Sequence, residues 1–111
     1  MPTLAEPTDT FPSALTEGSL VQRDPCLFLE AEDGSTSLII WPYGWSISAT
    51  TEGSTAVVDE DGRVVHRVGE EIELGGGFVS ENRDSTGFPE ELIGRPIPDR
   101  CKADGYWLAS P

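Results

Sequence analysis

Two cysteines, one histidine and a tight group of aromatics are the residues of this 111-residue chain whose types and spacing suit chemistry. Cys26 and Cys101 lie 75 positions apart, and an even cysteine count in a small chain reads either as a disulfide or as two unrelated thiols. A structural zinc site is not expected, because only His66 adds a further soft ligand and no C-x-x-C pairing exists. His66 alternates with Val64 and Val68, so it is expected on an apolar face as a hydrogen-bonded core or barrel-end histidine. A catalytic role would need a nucleophile placed beside it, and no serine sits in a G-x-S-x-G elbow.

Trp41-Pro42-Tyr43-Gly44-Trp45 puts three aromatics in five residues, and Tyr106-Trp107 adds a second pair near the C-terminus. Aromatic faces with a polar rim stack on sugar rings or grip peptides, which makes Tyr43, Trp45 and Trp107 the candidate ligand-binding residues. The competing expectation is that Trp41 and Trp107 fill the core while Tyr43 and Trp45 cap its end. Asp59-Glu60-Asp61-Gly62 looks like half a calcium loop, but the EF-hand register requires acids where Val57 and Val68 stand. Gly75-Gly76-Gly77 lacks the lysine and the following helix of a phosphate loop, and reads as a bulge, a corner or a wide turn. No metal and no cofactor is expected.

The elements that must position these residues are strands. Val, Ile, Leu and Phe number 26, and 18 of them fall between Ser19 and Ser80 in short runs. The runs are Leu20–Gln22, Cys26–Glu32, Ser37–Tyr43, Thr55–Asp59, Arg63–Val68, Glu70–Leu74 and Phe78–Val79, with a last one over Gly105–Ser110. Asp33-Gly34, Glu52-Gly53 and Asp61-Gly62 cut between them, and Asp61-Gly62 between AVVDE and RVVHRV is a strong hairpin signal. Leu38-Ile39-Ile40-Trp41 is continuous, as for a strand covered on both faces. Pro89 at a first helical position, Glu90 and Glu91 after it and Gly94 at the end predict one short helix. The expected fold is all-β: a small OB-like or SH3-like barrel of about six to seven strands, spanning 19–111 as a single domain. In a closed barrel the first and last strands often meet, which would bring Cys26 and Cys101 together. Residues 1–18, rich in Pro, Thr, Ser and Glu, are expected to be a disordered tail, unless Leu4, Phe11 and Leu15 lie along the wall of the barrel.

Charge bounds the partners. The net charge is −13, with −10 of it in residues 1–62, where Arg23 is the single base. That field excludes wholesale binding to nucleic acid and disfavours an anionic membrane. No run of about 18 apolar residues is present to span a bilayer. Residues 1–18 lack the basic and apolar regions of a signal peptide, though they suit a linker left after removal of a signal or lipobox. The localisation expected is therefore extracytoplasmic if such a leader was removed, and cytoplasmic otherwise.

The stretches CLFLE, LIIWPYGWS, VVDEDGRVV and VGEEIELGGG, about a third of the chain, resemble those of small bacterial β-barrel proteins, some secreted or lipid-anchored. VGEEIELGGG in particular is similar to a strand common in OB-fold domains. None of the four is a catalytic signature, and the resemblance implies no activity. The functional expectation is a monomeric, non-enzymatic binding module for a basic protein or peptide, an inhibitor or immunity-like protein being one version. Its working surface would be the acidic N-terminal half and the Trp41–Trp45 loop. The alternatives are a carbohydrate-binding module using that loop, and a structural accessory domain of the cell envelope.

Overall fold

Among the described residues, short branched runs punctuated by Asp-Gly turns fold into eight strands. The computed structural model describes residues 3–5, 14–23, 26–49, 55–78, 93–94, 99–101, 103 and 105–110. The strands are β1 (Ala14–Arg23), β2 (Cys26–Glu30), β3 (Thr36–Ile40), β4 (Ser46–Ala49), β5 (Thr55–Val58), β6 (Val64–Arg67), β7 (Glu71–Phe78) and β8 (Gly105–Ala109). Five of them close a barrel in the order β1-β2-β3-β8-β7, and β7 returns to β1. All barrel pairings are antiparallel except β3 with β8, which is parallel. The other three form a separate sheet in the order β4-β5-β6. The barrel thus has fewer strands than the six to seven expected, because the chain leaves it after β3 and builds a second sheet before returning as β7. That exit is local: Pro42 follows β3, Gly44 takes a φ of 84°, and the Trp45 N–H donates to the Pro42 carbonyl at 3.3 Å.

The turns form where the sequence marks them. Between β2 and β3, Asp33 accepts hydrogen bonds from the Ser35 hydroxyl at 2.7 Å and the Ser35 N–H at 2.9 Å. Those two donors, the hydroxyl first, hold the Asp33 carboxyl below its ordinary pKa. Between β5 and β6, Asp59 Oδ1 accepts from the N–H groups of Asp61 and Arg63, both at 3.0 Å. Gly62 supplies the left-handed residue, φ 82°, that this hairpin turn requires. The hairpin accounts for the acids of Asp59–Gly62 as turn residues.

Side-chain parity divides the core in two. Inside the barrel, Leu20, Leu27, Leu29, Ile39, Leu74 and Trp107 meet. On the outer side of the same wall, Cys26, Phe28, Leu38, Ile40 and Tyr106 form a second cluster, covered by Leu4, Ile93 and Cys101. Strands β2, β3 and β8 are therefore sealed on both faces, which is why β2 and β3 carry near-continuous apolar runs. Strands β1 and β7 are sealed on one face only: Ile72 and Leu74 point in, while Glu71 and Glu73 are exposed.

Three expectations are redrawn, and a fourth lies mostly outside the described residues. Strand β1 begins at Ala14, so its first five residues come from the stretch expected to be a tail, and Leu4 is buried with its N–H donating to Trp41 O at 2.9 Å. Leu15 is exposed, and Phe11 lies outside the described residues. The glycine triplet does not end a strand: β7 runs through it to Phe78. Gly76 has a φ of 133°, and a Cβ there would overlap the Leu108 carbonyl of β8, so the triplet lets the two strands approach. His66 does not share a buried face with Val64. Val57 pairs with His66 and Val58 with Val64, so Val65 is an extra residue that breaks the alternation and leaves Val64 and Val65 exposed. Of the expected helix only Ile93 and Gly94 fall among the described residues, and a 3-10 turn covers Asp99–Cys101. Among the described residues no helix is long and apolar enough to cross a membrane.

Candidate functional site

Because β1 lies between β2 and β7, its exposed face gathers acids from three strands. Glu17 stands directly opposite Glu73, while Ser19 stands between Glu30 of β2 and Glu71 of β7. With Glu32, these carboxylates line a cleft of about 670 Å³. Gly18 forms part of its floor, and a Cβ there would come within 2.6 Å of the Glu30 carbonyl oxygen, so glycine lets β1 and β2 close up beneath the cleft. Like charges directly opposed on a sheet are unfavourable by roughly 0.2–1 kcal/mol each. Among the described residues none of the five glutamates has a cationic partner. A cleft so built attracts cations and repels phosphates and carboxylates. Among the described residues no group of three or more His, Cys, Asp or Glu is arranged to hold a metal ion.

The sequence does not point to these five glutamates as one group: Glu71 and Glu73 stand out there only as neighbours for the acids of Asp59–Gly62. Their signal is present as alternation, Glu30 with Glu32 and Glu71 with Glu73. What the sequence does not carry is the register that lays β7, from the less acidic half, against β1.

The aromatic candidates do not come together. Trp107 is 2% exposed inside the barrel, donates its indole N–H to the Gly75 carbonyl at 3.1 Å, and meets Phe78 edge-on at 4.9 Å. Trp41 is fully buried and stacks on half-buried Trp45 with ring centroids 5.8 Å apart. Tyr43 is exposed. Trp41 also meets His66, whose ring is tilted at 45° with centroids 6.0 Å apart. Burial lowers the His66 pKa below its ordinary value, and the charge of Glu70 works in the other direction. The Trp41 indole N–H is buried and has no hydrogen-bond partner.

Cys26 and Cys101 stand at disulfide distance, with Cα atoms 5.7 Å apart. The contact does not come from first and last strands meeting, since β1 is closed by β7 and not by β8. It forms because the 3-10 turn before β8 lies on the outer face of β2, inside the outer cluster.

A comparison with protein-family models, with curated proteins and with solved structures finds nothing that matches this chain.

Proposed function

We propose that this chain is a monomeric, non-enzymatic binding module whose partner is a basic protein or peptide. The observation that carries the reading is the cleft along β1, where five glutamates converge with no cationic partner among the described residues. A Lys- or Arg-rich segment lying there relieves the repulsion between Glu17 and Glu73 as it binds, so part of the affinity comes from the strain of the empty cleft. The barrel itself we read as OB-like: five strands, three in antiparallel series, with the third strand parallel to the last. The accessory-domain reading draws support from the Cys26–Cys101 pair, since such bonds persist outside the cytoplasm, and an extracytoplasmic location suits both readings.

The test uses hexa-arginine as probe, with fluorescence anisotropy at low and high salt. Binding is expected at low ionic strength, weakened by salt and by the double variant Glu17→Gln/Glu73→Gln. Glu60→Gln/Asp61→Asn, which removes the same charge from the β5–β6 turn, should bind as the parent does. Equal losses in the two variants would mean that net charge acts without a site, and no binding at low salt would overturn the reading. A glycan array run on the same protein tests the carbohydrate alternative through Tyr43 and Trp45.

A further inference from the structure

The three-stranded sheet and the barrel share no strand ladder. They are joined by packing of Trp41, Val57, Trp45, Ile47 and Val68, and by two backbone bonds where the turn after β6 meets Leu20. At this joint His66 leans on the fully buried Trp41, whose indole N–H lacks an acceptor. We propose that His66 is a pH-sensitive latch: neutral, it holds the β4–β6 sheet on the end of the barrel, and protonated, it releases the sheet.

The chemistry follows from what the ring offers. A neutral imidazole has an uncharged face, suited to a half-buried joint against the Trp41 ring, which it meets ring to ring without a hydrogen bond to the indole N–H. The imidazolium has no acceptor and brings a charge into packed apolar surroundings. An aromatic face attracts a cation, but the net direction at His66 is set by burial, which favours the neutral ring. The surrounding charges do little to reverse this. Glu70 alone among the described groups favours the imidazolium, Thr55–Val58 of β5 carries no ionisable side chain, and Arg67 is exposed. From the Trp41–Trp45 turn the ionisable group is the exposed Tyr43 phenol, and Glu60 packs on Gly44. With the folded pKa below the unfolded one, the latch is fully closed above the ordinary histidine value of 6.5 and opens as pH falls from there through the folded value. Opening uncovers Trp41, Trp45 and Val57 at the barrel end, a surface the closed form hides.

His66 is the only histidine, so its proton NMR titration needs no assignment by mutation. Its midpoint is expected below 6.5. Hydrogen exchange, corrected for intrinsic rates, should show protection of β4–β6 amides falling as pH drops from 6.5 to that midpoint, by up to about tenfold per pH unit, and levelling off below it. Barrel amides should keep theirs over the same range, and His66→Phe should make the sheet's protection flat with pH. A His66 midpoint at or above 6.5, loss of protection in barrel and sheet together, or an unchanged pH response in His66→Phe would each overturn the latch. The first two readings use the unaltered protein, so they stand even if the variant does not fold.

Discussion

Replacing both cysteines with alanine removes a tie that encloses β2 through β7. Bonded, the pair closes a loop with a sequence separation of 75. In the chain-entropy treatment a loop of that length is worth about 4.5 kcal/mol, because the cross-link restricts the unfolded chain and not the folded one. Domains of this size have about 6–17 kcal/mol of stability in all, so the double variant Cys26→Ala/Cys101→Ala should lose a large share of it. Both cysteines are within 1% of complete burial, and the smaller alanines also leave unfilled space in the outer cluster, which adds to the loss. At about 4–6 °C per kcal/mol the expected fall in Tm is about 20 °C or more. Circular dichroism melts of the variant and the parent, both without reductant, read it directly. Thiol titration of the denatured parent should find no free thiol. A fall of less than about 5 °C would refute the entropic argument, and two titratable thiols would remove its premise.

Three further outcomes follow from the packing. Gly76→Ala places a Cβ against the Leu108 carbonyl at a φ of 133°, so urea unfolding should show a loss of roughly 2–6 kcal/mol from strain and overlap combined. Trp107→Phe keeps most of the ring but removes the indole donor from the Gly75 carbonyl, which still accepts from the Ser110 N–H, and the same assay should show a loss of about 0.5–1.5 kcal/mol from that bond. Glu73→Gln removes one of two opposed charges on β1 and β7; it should raise stability by roughly 0.2–1 kcal/mol in low salt, with the gain shrinking as salt is added.

The parts of the fold legible in the sequence were those written in local chemistry. Asp61-Gly62 marked the β5–β6 hairpin, and the unbroken Leu38–Trp41 run marked a strand covered on both sides, which β3 is. Strand β4 was missed because Ser-Ile-Ser-Ala has one large apolar residue and lies largely exposed. The division into a barrel and a separate sheet was not legible either, since turn signals say where a strand ends and not which neighbour the next one takes. The same holds for the cleft: Glu17 and Glu73 are 56 residues apart, and only the β1–β7 register makes them opposites. Trp45 and Trp107 look alike in a sequence, yet one caps a joint and the other is sunk in the barrel.

The bulge at Val65 has a consequence beyond the orientation of His66. Closing the barrel leaves none of its five strands with an unpaired side, so among the described strands the free backbone edges belong to β4 and β6. Such an edge invites a strand of another molecule to add itself, and proteins resist this with bulges and charges. Strand β6 has both: the extra residue disrupts the ladder where exposed Val64 and Val65 would otherwise offer a sticky template, and Arg63 and Arg67 flank it. In a chain with seven basic residues, two thus stand guard against aggregation at an otherwise vulnerable margin of the molecule.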